Sequence, residues 1–314
     1  MSERLCAQCG EPLPNWASYC GRCGTPAPRP RGVSRRLVLG GLGLAGLAAV
    51  GGGLAWWRAQ GQAPAPVASV TAPGESLYWG VVSSHAAQST VAVAGAPTLF
   101  DFIAQQVKPP QYWGRYIGGK DLLTPEEIIF LFSKGCRILV IYNDATPSGD
   151  HQGGVADAQR AISAAEALGA PTGVSIYADI ETGVYANPDW LLGWWETMGA
   201  SRYANPGGFY CNTGADNASA FTTPYCQALN SPANQQPDGS RRFNPLLFSS
   251  APRPGCGFDR SSYAPTAPPC APGSVVIWQY ALGCFQETDA PRGLCDMDLA
   301  NARGYATMWS REAS

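Results

Sequence analysis

From Leu77 onward, short apolar runs alternate with longer amphipathic ones. LYWGVVSS, YWGRYIGG, CRILVIYND, VSIYADIE, GGFYCNT, PLLFSS and SVVIWQYAL are short and rich in β-branched and aromatic residues. That composition predicts strands. Between them lie APTLFDFIAQQV, LTPEEIIFLFSKG, GVADAQRAISAAEALG, DWLLGWWETM and a shorter segment near ASAFTTPYCQAL, whose spacing predicts helices. LTPEEI carries its own start signal: Thr124 as N-cap, Pro125 in the first turn and Glu126 and Glu127 at the positive end. The Ala-rich helix ends at Gly169. Strands separated mostly by helices indicate an α/β fold with a parallel sheet, most economically a (β/α)8-type, TIM-like barrel over residues 77–314. In the last third, loops replace the helices, so the barrel is expected to be irregular there.

The chain before Leu77 follows a different pattern. Leu37 to Trp57 is a run without a charge, rich in Leu, Ala and Gly. As a helix it would span roughly 30 Å, the thickness of a bilayer core. Arg29, Arg31, Arg35 and Arg36 precede it in a basic flank, residues 29–36, and Arg58 alone closely follows. That asymmetry predicts a single span with a cytoplasmic N-terminus and the 77–314 domain outside. SRRLVLGG resembles a twin-arginine export signal. Residues 58–76 are rich in Pro, Ala and Gly and read as a linker. Cleavage within its QAPAPVAS stretch would make the outer domain secreted; an uncleaved anchor is the preferred reading, because a module placed before the signal would otherwise be lost.

That module occupies residues 1–28. Cys6-x2-Cys9-x10-Cys20-x2-Cys23 supplies two CxxC knuckles, each followed by glycine, Gly10 and Gly24. Four thiolates at this spacing suit tetrahedral zinc and predict a zinc ribbon, in which the metal is structural. The other seven cysteines all follow residue 135 and have no knuckle spacing. They suit disulfides in an oxidising compartment. Proximity in sequence suggests Cys211–Cys226, Cys256–Cys270 and Cys284–Cys295, with Cys136 a buried thiol, although six cysteines allow fifteen pairings. Charged residues make up only 14% of the chain and the net charge is −2, so nothing points to a nucleic-acid partner.

The candidate chemistry lies in VSIYADIETG. Side chains of a strand alternate between faces. Val174, Ile176, Ala178 and Ile180 form an aliphatic face, and Tyr177, Asp179 and Glu181 share the other. The ends of barrel strands form the mouth where sites are built. Two acids there are costly to bury unless they are used or neutralised. Crowding raises the pKa of one and keeps a proton available for a leaving group, as glycosidic cleavage requires. The alternative is a structural pair satisfied by Arg115 or Tyr177. Other residues expected at the mouth are Tyr142, Asn143 and Asp144, then Trp278, Gln279 and Tyr280, then Asp296 and Asp298. His85 and His151 read as loop or surface residues, and no nucleophile elbow or phosphate loop is present.

IYADIE resembles the strand-four signature of family 25 glycoside hydrolases, the Chalaropsis-type lysozymes. VIWQYAL followed by CDMDLAN resembles their last strand and its later Asp. GRYIGG, LTPEEI and the stretch from GGVADAQ to YADIE resemble more closely the glycoside-hydrolase-like domain of actinobacterial secreted proteins. The resemblance covers roughly residues 77–310. It implies a barrel acting on cell-wall glycan, with peptidoglycan first, and no cofactor in the barrel. It also implies Glu181 as proton donor, Asp179 as its partner at the N-acetyl group or cationic transition state, and Asp298 as a supporting carboxylate. Tyr177, Trp278, Gln279, Tyr280 and Asp144 would shape the substrate cleft. One acid of the lysozyme pattern is missing, since Val82 stands where the first strand should end in Asp. A wall-binding or remodelling module without turnover, signalling through a cytoplasmic partner of the zinc ribbon, is the competing reading.

Overall fold

The computed structural model describes residues 76–90, 96–203, 207–251, 263–285 and 293–311. It also describes Arg253, residues 255–257 and three two-residue strands before the barrel. The chain divides into two compact units, Met1–Pro64 and Ala65–Ser314. In the first, Arg4–Leu5 pairs antiparallel with Pro12–Leu13. The four knuckle cysteines and the 37–57 segment lie outside the described residues. Among the described residues no helix is long and apolar enough to cross a membrane.

The second unit is a closed barrel of eight strands. They are β1 (Leu77–Val82), β2 (Tyr112–Tyr116), β3 (Arg137–Tyr142), β4 (Ile176–Ile180), β5 (Gly208–Cys211), β6 (Leu247–Ser249), β7 (Val275–Cys284) and β8 (Cys295–Asn301). Strands β1 to β7 run parallel, each to the next. The eighth, β8, closes the barrel antiparallel to both β7 and β1. The pattern predicted seven strands; the eighth is CDMDLAN. Its direction follows from chain length. Only residues 285–294 separate β7 from β8, too few for the crossover that a parallel partner requires. The expected irregularity in the last third is therefore a hairpin. Val67–Ala68, within the predicted linker, pairs antiparallel with Thr266–Ala267.

The helices start where their caps dictate. Thr98, Thr124, Asp150 and Asn187 each accept a backbone N–H in the first turn of α1 (Leu99–Gln106), α2 (Pro125–Ser133), α3 (His151–Ala167) and α4 (Pro188–Gly199). Helix α3 leaves at Gly169, whose φ of +77° only glycine adopts without strain. The Ala-rich face of α3 meets α4 at backbone contact. A Cβ on Gly154 would lie 2.1 Å from the Trp190 carbonyl oxygen, and one on Gly193 would lie 2.2 Å from that of His151. Helix α5 (Thr223–Leu229) follows β5, and the short α6 (Ala302–Ala306) follows β8.

Two apolar layers result. Ile176, Ala178 and Ile180 of β4 pack outward with the helices. Inside the barrel, Val82, Tyr112, Leu139, Ile141, Tyr177, Phe248 and Val276 form a separate cluster. The interior is packed rather than hollow, as expected for eight strands. Among the described residues the upper rim carries an open cleft.

Among the described residues two disulfides are present, Cys226–Cys270 and Cys256–Cys284, while Cys136, Cys211 and Cys295 are buried free thiols. The pairing by sequence proximity is thus corrected. Cys211 ends β5 within the outer apolar layer, so Cys226 on α5 pairs instead with Cys270 before β7. Cys136 is the buried thiol that the apolar run predicted.

Arg115 and Glu127 form an ion pair between β2 and α2, with exposures of 1% and 0%. The Arg115 Nε donates to both Glu127 oxygens, at 2.9 and 3.0 Å. Its other nitrogens donate to the carbonyls of Ser83 and Leu122, and Glu127 also accepts from the Ala87 N–H. One guanidinium therefore ties the loops after β1 and β2 together. Arg115→Met leaves the Glu127 charge buried and unpaired, and is expected to destabilise the chain by about 3–5 kcal/mol in urea denaturation. Adding Glu127→Leu should recover much of that loss.

Candidate active site

The open rim at the C-terminal ends of the parallel strands holds a cleft of about 360 Å³. Tyr116, Asn143, Asp179 and Glu181 line it, together with Lys120 and Asp121 of the β2–α2 loop. Asn143 holds that loop at both ends. Its side chain accepts from the Gly118 N–H at 3.2 Å and donates to the Lys120 carbonyl at 3.3 Å. Asp121 sits at φ +57°, a conformation sparsely adopted by residues other than glycine. The loop after Glu181 is equally well fixed. The Val184 N–H donates to the Glu181 carbonyl and the Gly183 N–H to Asn217 Oδ1.

Asp179 and Glu181 share the inward face, with Cα atoms about 6.5–7 Å apart by strand rise. Arg115 does not neutralise them, because Glu127 occupies it. Tyr177 lies one layer deeper, edge-on to Phe248 within the barrel interior. The pair is therefore not explained as a satisfied structural couple. Burial, reinforced by the charges of Glu181 and Asp296, raises the Asp179 pKa to about 8. It carries a proton at neutral pH. Glu181 stands exposed at the rim. Burial, more than proximity to the other acids, is the cause of the Asp179 shift.

A third acid completes the mouth. Because β8 runs downward, its first residues lie at the rim, and the ladder sets Asp296 opposite Val82. An acid from the neighbouring strand thus stands at the level where the first strand carries Val82. Asp296 accepts from the Gly283 N–H at 2.7 Å and from Gln279 Nε2 at 3.2 Å. Burial, with Glu181 adding to it, raises the Asp296 pKa to about 7 against the lowering by Gly283 and Arg253. Gln279 also accepts from the Tyr210 hydroxyl at 2.7 Å. Burial and the three acids push the phenols of Tyr116 and Tyr210 up, so both remain protonated donors.

The remaining predicted residues fall elsewhere. Asp298 is paired with Gly80, two positions below Asp296, and is fully buried. Burial, then the Asp296 charge, pushes its carboxyl well above the usual range. It belongs to the floor under the cleft rather than to its open surface. Trp278 and Tyr280 are 2% and 3% exposed and pack in the outer layer. There the Tyr280 hydroxyl accepts from Trp79 Nε1 at 3.1 Å. These rings support the wall and do not line the cleft. Asp144 is exposed beside Gly118, next to the cleft-lining Asn143. Tyr142 points outward to Arg160 and Trp194. His151 contacts Glu196 at 2.8 Å on the surface, and His85 follows β1 near the rim. Sequence reading missed Tyr116 and Tyr210, although their alternation with Trp113 and Phe209 along β2 and β5 was a usable signal. Among the described residues no His, Cys, Asp or Glu cluster has the arrangement of a metal site.

The chain thus forms an eight-stranded α/β barrel with acids gathered at its mouth. Residues 105–249 match the family model described as the Rv2525c-like, glycoside hydrolase-like domain. An uncharacterized B. stearothermophilus protein of known structure is 28% identical, with a TM-score of 0.57 over 74% of this chain and 100% of that one. The Mycobacterium tuberculosis Tat-secreted protein Rv2525c is 15% identical, with a TM-score of 0.41 over 71% of this chain and 94% of its own. A family GH25 lysozyme from Aspergillus fumigatus is 14% identical, with a TM-score of 0.37 over 74% of this chain and 100% of its own. No curated protein matches the chain.

Proposed function

We propose that the barrel hydrolyses a glycosidic bond in cell-wall glycan, with peptidoglycan as the first candidate. The observation that carries this reading is the acid cluster at the mouth. Asp179 is held protonated by burial, Glu181 stands beside it at the exposed rim, and Asp296 faces them from β8. In this reading Glu181 meets the glycosidic oxygen and passes it a proton drawn from Asp179. Asp296, anchored by Gly283 and Gln279, supplies negative charge near the developing cation once deprotonated. Tyr116 donates a hydrogen bond to an acid or to a sugar oxygen, and Tyr210, whose proton goes to Gln279, orients the amide that donates to Asp296. The test is release of new reducing ends from peptidoglycan and other wall polysaccharides by the purified chain, beside Glu181→Gln. A second reading, a wall-binding module without turnover, is favoured by Val82 and by the sealed position of Asp298. It predicts no release from either protein, with both still sedimenting with wall material.

The segments before the barrel complete the proposal. Residues 37–57 act as a single anchor, with the barrel outside the cytoplasmic membrane and residues 1–28 inside, available to a cytoplasmic partner. Cys6, Cys9, Cys20 and Cys23 hold one structural zinc ion. Metal analysis of the purified chain should find about one zinc per chain, and Cys6→Ser with Cys9→Ser should remove it. Full zinc content in that double variant would overturn the ribbon.

A further inference from the structure

We propose that Cys256, Cys284 and Cys295 form a thiol–disulfide relay, in which Cys284 can exchange Cys256 for Cys295 beside the candidate site. Cys284 is bonded to Cys256. It is also the direct ladder partner of the free thiol Cys295 across the β7–β8 pair. Directly opposed residues of an antiparallel pair share a face, with Cα atoms about 4.5–5.5 Å apart. That separation lies within the span a disulfide bridges. Both residues are buried in the same outer cluster, at 1% and 3% exposure. Cys284 therefore has two sulfur partners within reach of one side chain.

The exchange needs no oxidant. Cys295 loses its proton to solvent, and its thiolate attacks Cys284 Sγ. The Cys284–Cys295 bond forms as the Cys256–Cys284 bond breaks, and Cys256 leaves as a thiolate that takes up a proton. The number of disulfides is unchanged. Burial, with Asp296 and Asp298 nearby, holds the Cys295 thiol well above its ordinary pKa. Exchange is therefore slow while the ladder is intact and requires the paired ends of β7 and β8 to separate. The end of β7 is irregular: the ladder shifts register between Ala281 and Cys284, and Gly283 and Phe285 sit at φ +61° and +58°.

The two pairings differ at the mouth. Cys256–Cys284 ties the β6–β7 connection to the end of β7, where the Gly255 N–H donates to the Tyr280 carbonyl. Cys284–Cys295 instead staples β7 to β8 immediately before Asp296 and releases Cys256. The Gly283 N–H that anchors Asp296 is one residue from the exchanging sulfur.

The test is disulfide mapping by peptide mass spectrometry of the acid-quenched, alkylated chain, and its readout does not depend on glycan hydrolysis. Incubation with a trace of reduced glutathione should convert part of the wild type into a Cys284–Cys295 species, with Cys256 newly alkylated. Cys295→Ser should retain only Cys256–Cys284. Cys256→Ser, refolded with oxidised glutathione, should yield Cys284–Cys295. Wild-type peptides that remain wholly Cys256–Cys284 through unfolding and refolding with the thiol, or alkylation of both Cys284 and Cys295 in a folded Cys256→Ser protein, would overturn the relay.

Discussion

Glu181→Gln is expected to cut release of reducing ends from peptidoglycan by about 10²–10⁴-fold, the usual contribution of a positioned proton donor. On the transition-state scale that is roughly 2.7–5.5 kcal/mol. Glutamine keeps the size and polarity of the side chain but cannot pass a proton. Glu181 is exposed, so the substitution should leave the thermal midpoint within a degree or two of wild type. Loss of turnover without loss of fold separates chemistry from structure. Asp179→Asn should also lose turnover, since its amide cannot replenish the proton that Glu181 gives up. In wild type, activity should decline as pH rises through about 8, where Asp179 loses its proton. A Glu181→Gln variant that releases glycan at the wild-type rate would sink the assignment. Silence from both proteins, with retained sedimentation on wall material, would establish the binding module.

Stability should fall as pH rises from about 4 to about 8. The acids at the mouth have folded-state pKa values raised above the unfolded value, Asp179 to about 8 and Asp296 to about 7. Between an unfolded pKa near 3.9 and those folded values, the native state binds more protons than the unfolded chain. Rising pH therefore favours unfolding. Below about pH 4 both states are protonated and the penalty is absent. Above about pH 8 it is fully expressed and levels off for these two groups. The slope within the window is at most about 1.4 kcal/mol per pH unit for each group. Denaturant midpoints measured from pH 4.5 to 8.5 should show this decline. Asp179→Asn should flatten it and raise stability at pH 8, a gain bought at the expense of the proposed chemistry. A midpoint that rises with pH across the window would show that the acids are ionised and stabilised in the folded state.

Much of the architecture could be read along the chain because its causes are local. Threonine and proline at 124 and 125 start α2 by capping chemistry that needs no tertiary contact. The two-residue period of Ile176, Tyr177, Ala178, Asp179 and Ile180 sorts an outward aliphatic face from an inward polar one whatever lies around it. The alternation of strand and helix signals gave seven of the eight strands and the barrel. Even the eighth had a signal, since Cys295, Met297 and Leu299 alternate with Asp296 and Asp298. Two acids in one short run obscured it.

What the sequence by itself determined, then, is the set of elements, their faces and the acid pair at the end of β4. What only the tertiary structure decided is which groups meet. The short hairpin reversed β8, and that reversal lifted Asp296 to the rim and lowered Asp298 into the floor. Burial depth placed a proton on Asp179, and the packing of β2 against α2 gave Arg115 to Glu127. Ladder register and loop closure set Cys284 between two sulfur partners where proximity in sequence had suggested only one. Strand direction, depth and cross-strand register depend on contacts between residues far apart in sequence, and no local pattern encodes them.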